Sequence, residues 1–416
     1  MTQWSPQQDA ALLAIHEWMK TASGQNNQIF RLFGYAGTGK TTLAKEIADS
    51  VEGQVLFAAF TGKAASVLQS KGCRNAKTIH SLIYKPKQAS AAKLRELETD
   101  YTAYLVFLEE DRGITDPDER ERNPRAVELR KMLEEERKNV ARPMFDLSQE
   151  SDLRGAKLLI VDECSMVDER MAEDLMWFGC PILVLGDPAQ LPPVAGTGFF
   201  TDAAPDFMLT EVHRQAAESP ILRLANEVRL GNPPSLIDLP GLRVIPKAAL
   251  RDRQDLITGA DQCLVGRNKT RHSWNGRLRT LQGIEESMPM VGERLVCLRN
   301  NHDLGLLNGT LHIVTDSGVQ DGDRIVLNVQ PEEGGRSLEV ECHTAYFEGR
   351  DLHWTERREA QEFDFGYAMT VHKSQGSQWD KVALMNESWC FRDDRWKWLY
   401  TGITRAAQDL TVILDD

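Results

Sequence analysis

Eight residues near the N-terminus, GYAGTGKT at positions 34–41, constrain the fold more than any other part of the sequence. An apolar segment at 29–33 precedes them and a helix-like segment at 41–50 follows, which predicts a strand, a glycine-rich turn and a helix. Glycine lets the backbone N–H groups of such a turn face an anion, and the helix N-terminus adds a favourable dipole. The motif in this context predicts a phosphate loop, the name used below for residues 34–41.

The residue types of this loop predict separate roles in binding ATP and Mg²⁺. Lys40 would place its charge between the β- and γ-phosphates, and the Thr41 hydroxyl would ligate Mg²⁺. The residues expected to contact the nucleotide here are Gly34, Ala36, Gly37, Thr38, Gly39, Lys40, Thr41 and Thr42.

Two further predicted strands end in polar residues that suit hydrolysis. The apolar segment 158–161 leads into Asp162 and Glu163. Such a site needs one acid in the Mg²⁺ shell, here Asp162, and one that orients and deprotonates the attacking water, here Glu163. A strand predicted at 181–185 leads to Gln190, whose amide suits a hydrogen bond to the γ-phosphate or the water. The alternation of strands and helices predicts an α/β fold with parallel sheets covered by helices.

Composition sets limits on the class of protein. The chain has 416 residues, which predicts more than one domain. Its formal net charge is -13, so any surface that binds nucleic acid would have to be a local basic patch. The apolar runs are too short for a membrane span, and the first residues lack the pattern of a signal peptide. Seven cysteines without a CxxC pair predict buried free thiols in a reducing cytoplasm.

Taken together with their neighbours, these motifs resemble the superfamily 1 helicases, specifically the RecD-like and Dda-like branch. The segment LTEVHRQ at 209–215 resembles the family segment that brings an arginine, here Arg214, to the γ-phosphate, and YTGITRA at 400–406 resembles the segment with the second one, Arg405. Gln8 in the segment SPQQ occupies the position of the adenine-reading residue. The resemblance implies DNA contacts from segments at 59–65, 78–81 and 370–377, through Thr61, Lys63, His80, His372, Ser374 and Gln375.

The resemblance also implies an organisation into two RecA-like motor domains. The first is expected at 1–84 and 151–200, with a charged accessory insertion at 85–150. The second is expected at 201–292 and 350–416. Strand-like segments at 294–298, 310–314, 324–329 and 337–346 predict a small β-barrel at 293–349, and the resemblance implies that this barrel is SH3-like. The insertion is either a solvated helical segment or an accessory domain that helps to hold or split the duplex.

The implied activity is ATP-dependent movement along single-stranded DNA from 5′ to 3′ with unwinding of forked duplexes. The protein is expected to act as a monomer, with replication, repair or recombination proteins as partners, in the cytoplasm of a bacterial or phage-infected cell. An ATP-driven remodeller that clears proteins from DNA without processive unwinding uses the same motifs and stays open, and RNA is a weaker alternative as the track.

Several residues have a structural alternative to their predicted role. For each of the six implied DNA contacts, the less favoured alternative is a satisfied local hydrogen bond. Gln378 stands where the family often has glutamate, and its role is left open. Trp389, Trp396 and Trp398 flank a predicted strand and helix, which predicts core packing.

Overall fold

A computed structural model describes residues 4–22, 27–86, 90–110, 112, 114–141, 145–192, 198–212, 218–301, 304–332, 334–350, 352 and 360–415. The helices are α1 Pro6–Thr21, α2 Lys40–Ser50, α3 Gly62–Ser70, α4 Ile79–Ile83, α5 Ser90–Glu110, α6 Pro117–Arg122, α7 Pro124–Ala141, α8 Glu169–Met176, α9 Phe199–Asp202, α10 Pro220–Arg229, α11 Asp255–Thr258, α12 Asn268–Leu281 and α13 Arg395–Ile403. None of the described helices is both long and apolar enough to cross a membrane.

The strands form three larger sheets and one two-stranded pair. Their bounds are β1 Ile29–Gly34, β2 Val55–Ala59, β3 Lys77–Thr78, β4 Tyr84–Pro86, β5 Phe145–Leu147, β6 Leu158–Asp162, β7 Ile182–Gly186, β8 Phe207–Leu209, β9 Ile237–Leu239, β10 Leu242–Pro246, β11 Gln262–Val265, β12 Arg294–Cys297, β13 Leu311–Asp321, β14 Arg324–Pro331, β15 Leu338–His343, β16 Phe363–Phe365, β17 Ala368–Thr370, β18 Trp379–Asn386 and β19 Ala406–Leu414.

The first sheet is parallel throughout and carries the phosphate loop at the end of β1. Its strand order is β3-β2-β6-β7-β1-β8. The side chains of β6 from Leu158 to Val161 and all those of β7 are buried. Burial on both faces explains the uninterrupted apolar runs in the sequence, because helices cover both sides of a parallel sheet. The predicted mixed α/β class with parallel sheets is confirmed.

The second sheet has the order β17-β11-β18-β19-β10-β9 and is parallel except for the edge pair of β9 and β10. Its core contains Trp398 and Tyr400 of α13, which pack against the strands. The two sheets with their covering helices are called the first and second α/β bodies below.

A small antiparallel sheet follows the order β15-β14-β13-β12-β16. Gly322 has φ +58 in the turn between β13 and β14, the left-handed conformation that favours glycine there. Buried side chains such as Leu327 and Val329 fill its interior.

Two strands lie in different sheets from those predicted. β8 falls in the predicted second motor domain, but it pairs with β1 and therefore belongs to the first sheet. β16 falls outside the predicted barrel range, but it pairs with β12 and therefore belongs to the small sheet. Both errors arise because the partners are distant in the sequence, so local patterns do not reveal the pairing.

Residues His80–Ser151 form a compact unit of their own. Within it α5 packs against α7, β4 pairs with β5, and Leu97, Leu108 and Leu129 are buried. The Tyr104 hydroxyl donates to Asn123 Oδ1 at 3.2 Å, in the connection between α6 and α7. The unit consists mainly of helices.

The predicted burial of tryptophans and cysteines holds in part. Trp398 is fully buried, Trp396 is partly buried, and Trp389 is 60% exposed, so core packing is wrong for Trp389. Instead of lying in the core, the Trp389 ring packs beside Arg267, whose Cζ is 5.1 Å from the centroid of the ring. All seven cysteines are free; six are buried, whereas Cys390 is only partly buried.

Candidate functional site

The phosphate loop has a backbone shape that requires glycine. Gly37 and Gly39 have φ of +78 and +83, which other residues rarely adopt. A Cβ added at Gly34 would lie 2.6 Å from Thr38 Oγ1 and 2.8 Å from Leu209 Cβ. The loop therefore turns tightly between β1 and α2, and the N-terminus of α2 opens onto a cavity.

This cavity has a volume of about 170 Å³ and is lined by residues of both α/β bodies. From the first body come two lysines, three carboxylates and an amide; from the second come a glycine-containing loop and an arginine. The lining residues are Ala36, Lys40, Thr41, Ala64, Val67, Lys71, Asp162, Glu163, Leu185, Gly186, Asp187, Gln190, Gly376, Ser377, Gln378, Thr404 and Arg405. The cavity is called the cleft below.

The predicted phosphate-loop contacts are distributed unevenly around the cleft. Lys40 Nζ donates to the carbonyl oxygens of Gly34 at 2.6 Å and Tyr35 at 3.1 Å, at the mouth of the loop. Thr38 is buried, with Oγ1 donating to Tyr35 O at 2.9 Å. Thr42 is exposed on α2 and does not line the cleft.

The two carboxylates follow β6 directly. Asp162 Oδ2 accepts a hydrogen bond from Thr41 Oγ1 at 3.3 Å, and Oδ1 accepts one from the Glu163 backbone at 2.9 Å. Burial raises the pKa of Asp162, and the charge of Glu163 raises it further. Glu163 has φ +52 and ψ 46, a left-handed conformation that is strained for a residue with a side chain and that often marks functional sites.

Gln190 lies in the turn after β7, in the segment from Asp187 to Leu191 that is called the Gln190 loop below. Its side chain is 8% exposed, and its Oε1 has no hydrogen-bond partner among the described residues. A buried amide oxygen or N–H without a partner costs free energy unless something binds it. Because Gln190 also lines the cleft, this oxygen is available to accept a hydrogen bond from a group bound there.

Arg405 enters the cleft from the second body, just after α13. It is 5% exposed, and its guanidinium donates to Thr401 O at 3.1 Å, Ser377 O at 3.1 Å and Thr404 Oγ1 at 3.2 Å. Arg405 Nη1 lies 3.9 Å from Glu163 Oε1 across the cleft. The other predicted arginine, Arg214, lies outside the described residues.

The N-terminus of α1 is fixed on the phosphate loop. Gln8 Nε2 donates to Thr38 O at 3.1 Å, while Gln8 Oε1 accepts from the Ser5 backbone at 3.0 Å in a capping box. A Cβ at Gly39 would lie 2.8 Å from Gln8 Nε2. Gln8, the residue predicted to recognise the adenine, thus contacts the backbone of the phosphate loop directly.

Among the predicted DNA contacts, Thr61 and Lys63 lie at the start of α3 and are partly buried. Thr61 Oγ1 caps the helix by accepting from Ala64 N at 3.1 Å. His372 is partly buried with its ring 5.4 Å from that of Phe391, and burial lowers its pKa. His80 belongs to the separate helical unit.

Ser374 and Gln375 do not reach a surface. Ser374 is fully buried and donates to Val371 O at 2.8 Å, and Gln375 is 2% exposed and donates to Leu191 O at 2.9 Å. Both side chains therefore make hydrogen bonds within the protein, which was the alternative to the predicted contact with DNA. For Gln375 this bond joins the two α/β bodies.

Several site residues escaped the sequence analysis. The Tyr400 hydroxyl contacts Asp187 and the phosphate loop, and Gln7 Oε1 accepts from the Thr210 and Glu211 backbones, both at 2.9 Å. Tyr400 and Asp187 stand inside recognised segments, but a hydroxyl or carboxylate with a distant partner leaves no periodic signal in a sequence.

Comparison with known protein families and proteins places this geometry in context. The family model described as an AAA domain matches residues 16–241, and that of the UvrD-like helicase C-terminal domain matches residues 365–413. The ATP-dependent RecD2 DNA helicase of Deinococcus radiodurans is 28% identical over 403 residues, which cover 90% of this chain and 45% of that protein. The ATP-dependent DNA helicase Dda of Enterobacteria phage T4 is 30% identical over 241 residues, which cover 53% of this chain and 42% of Dda. The chain thus spans less than half the length of either relative.

Solved structures share the fold. The crystal structure of the Pif1 helicase from Bacteroides in complex with ADP-AlF3 and single-stranded DNA aligns with a TM-score of 0.53 at 19% identity, covering 100% of this chain and 93% of that one. A structure of two coordinating Pif1 helicases that unwind forked double-stranded DNA aligns with a TM-score of 0.54 at 19% identity, covering 99% of this chain and 92% of that one.

Proposed function

The chain belongs to the RecD- and Pif1-like branch of the superfamily 1 helicases, and from this premise we propose that it hydrolyses ATP in the cleft to move from 5′ to 3′ along single-stranded DNA and unwind duplexes. The 5′-to-3′ direction rests on the resemblance to this branch. The observation that carries the proposal is the cleft itself. A phosphate loop, two carboxylates and an unpaired buried amide on one body face a buried arginine on the other.

The proposed organisation is two RecA-like motor domains with an SH3-like barrel in the second and an accessory insertion in the first. Two mainly parallel six-stranded sheets and a five-stranded antiparallel sheet support it. With the two corrected strands, the first motor domain extends through β8, and the barrel includes β16. The compact unit His80–Ser151 supports an accessory domain at this place in the chain.

Each cleft residue has a proposed task in hydrolysis. Lys40 binds the β- and γ-phosphates, and Glu163 orients the attacking water and accepts its proton. Gln190 accepts a hydrogen bond from that water through its unpaired Oε1, or donates one to the γ-phosphate from Nε2. Arg405 and Arg214 stabilise the negative charge that spreads over the γ-phosphoryl oxygens in the transition state.

Thr41 and Asp162 fit the Mg²⁺ that accompanies ATP. Their oxygen atoms lie 3.3 Å apart, and oxygen is the ligand that this hard cation prefers. Such an ion would be held by the Asp162 carboxylate, the Thr41 hydroxyl and the substrate phosphates. Bound there, Mg²⁺ would neutralise charge on the phosphates.

The proposed DNA contacts of the α/β bodies are Thr61, Lys63 and His372, and His80 of the helical unit is proposed as a contact of that unit by itself. Contacts to the sugar–phosphate backbone by small polar groups suit a motor that must step over any sequence. The proposed substrates are single-stranded and forked DNA. Action as a monomer in a bacterial or phage-infected cytoplasm, with replication, repair or recombination proteins as partners, completes the proposal.

Steady-state ATP hydrolysis with and without single-stranded DNA tests the function. DNA is expected to raise turnover strongly, and Lys40→Ala is expected to abolish it. Lys45→Ala is the matched control, because Lys45 lies exposed on the same helix and does not line the cleft. Turnover that DNA leaves unchanged would refute the proposal, and stronger stimulation by RNA oligomers would identify RNA as the track.

A further inference from the structure

Tyr400 of α13 joins the second body to the first through a single hydroxyl group. The hydroxyl oxygen accepts a hydrogen bond from Ala36 N in the phosphate loop at 2.8 Å, and the hydroxyl donates to Asp187 Oδ2 at 2.7 Å. The side chain is 2% exposed. A hydroxyl has one proton and two lone pairs, so this orientation satisfies two groups of the first body at once.

The residues around Tyr400 bind the other end of the Gln190 loop. Thr401 Oγ1 accepts from Leu191 N at 2.9 Å, and Gln375 Nε2 donates to Leu191 O at 2.9 Å. Both backbone groups of Leu191, which directly follows Gln190, are therefore bonded to the second body. Within the loop, Asp187 Oδ1 accepts from Ala189 N at 3.0 Å, so the contact with Tyr400 is passed on to the turn that carries Gln190.

We propose that Tyr400 is a positioning residue that couples closure of the cleft to the placement of Gln190, an inference that rests on the ATP hydrolysis proposed above. Helix α13 carries Tyr400 and ends two residues before Arg405. The same helix thus positions the Arg405 guanidinium and holds the Gln190 loop. Closure of the cleft therefore brings both Arg405 and the Gln190 amide to the γ-phosphate together.

Opening of the cleft would break this arrangement at a cost. The buried carboxylate of Asp187, which is 3% exposed, and the Ala36 N–H would lose their shared partner. In the open state both groups would exchange this bond for bonds to water, and a hydrogen bond within the protein is favoured over that exchange, most strongly when one partner is charged. The Tyr400 hydroxyl therefore stabilises the closed cleft and, through it, the orientation of Gln190.

The Tyr400→Phe variant of the full chain tests the coupling, because it removes the hydroxyl and keeps the ring. With saturating single-stranded DNA, kcat for ATP is expected to fall about tenfold while KM for ATP stays within about twofold, since nucleotide binds the phosphate loop before closure. Amide hydrogen exchange is expected to become about tenfold faster in the peptides containing Ala36 and Leu191, and to stay unchanged in β6.

Tyr367→Phe is the matched control. The Tyr367 hydroxyl also donates to a carboxylate, Glu293 Oε1 at 3.2 Å, but neither residue lines the cleft. Thr401→Val is the second variant; it is nearly isosteric, removes the acceptor of Leu191 N, and is expected to lower kcat in the same direction. It decides the question if Tyr400→Phe does not fold.

The outcomes separate this inference from the proposed function. If the unmodified chain shows no DNA-stimulated turnover, the proposed function fails. If that chain is stimulated but Tyr400→Phe and Thr401→Val keep kcat within twofold and exchange at the normal rate, only the coupling is refuted. A loss of kcat in Tyr367→Phe equal to that in Tyr400→Phe would also refute it, because the effect would then not depend on the cleft.

Discussion

The Arg405→Ala substitution is expected to lower kcat for ATP about a thousandfold while KM for ATP stays within about threefold. Arg405 Nη1 lies 3.9 Å from Glu163 Oε1, so an anionic group in the cleft can approach the guanidinium to a similar distance. Two unit charges at such a distance interact by about 4 kcal/mol at an effective dielectric constant of about 20. An interaction of this size that forms fully only in the transition state corresponds to about a thousandfold in rate.

The same substitution also has a structural cost that must be separated from the catalytic one. The guanidinium makes three hydrogen bonds, to Thr401, Ser377 and Thr404. At about 1 kcal/mol each, the free energy of unfolding is expected to fall by about 3 kcal/mol. Turnover should therefore be measured at a temperature where thermal melts show both proteins folded.

Arg243→Ala provides the matched control for the loss of a paired arginine. Arg243 on β10 donates from Nη1 to the two carboxylate oxygens of Asp409 on β19, at 2.8 and 3.0 Å, and neither residue lines the cleft. Its kcat is expected to stay within about twofold of the unmodified chain. Equal losses in kcat and in ATP affinity for Arg405→Ala, or a comparable loss of kcat in Arg243→Ala, would refute a transition-state role for Arg405.

Three further predictions follow from single positions. Gly376→Ala is expected to lower DNA-stimulated turnover several-fold in the ATPase assay. Gly376 has φ +76, and an added Cβ would lie 2.7 Å from Ala64 Cβ of the first body. Unchanged turnover would show that this close contact is dispensable. Burial lowers the pKa of Lys373 from 10.5 to about 8. Between pH 8 and 10.5 the folded state therefore binds fewer protons than the unfolded state. The contribution of Lys373 to the free energy of unfolding consequently rises with pH over this range. Urea melts of Lys373→Met should therefore lack a rise of about 3 kcal/mol over that window relative to the unmodified chain, and parallel pH profiles would contradict the prediction. In the same melts, Trp398→Ala is expected to lower the free energy of unfolding by about 3–5 kcal/mol, because Trp398 is buried. Replacement of the exposed Trp389 by alanine is expected to lower it by less than about 0.5 kcal/mol. Equal losses in the two variants would contradict the prediction.

The sequence predicted those parts of the fold in which local pattern and structure coincide. The phosphate loop was predictable because glycine, lysine and threonine have fixed places between a strand and a helix, and α2 begins at Lys40, one residue from the prediction. The buried strands β6 and β7 were predictable because their apolar runs are short and continuous. In the site, Thr41 lies within hydrogen-bond distance of Asp162, and Arg405 lies 3.9 Å from Glu163.

The sequence did not reveal features that depend on distant partners. The sheets to which β8 and β16 belong are decided by pairing with β1 and β12, and nothing in the strand residues themselves encodes that choice. Ser374 and Gln375 lie in a segment that suggested a surface role, but the fold buries both. Trp389 shows the reverse, because its apolar neighbours predicted burial whereas the ring lies at the surface.

Strand displacement on DNA with a single tail tests the central claim most directly. A labelled duplex carrying only a 5′ tail should be separated in the presence of ATP and Mg²⁺, whereas the same duplex carrying only a 3′ tail should remain intact. Lys40→Ala should separate neither. Stimulated ATP hydrolysis without strand release would favour a remodeller that clears proteins from DNA, and release from the 3′-tailed duplex alone would contradict the proposed direction of movement.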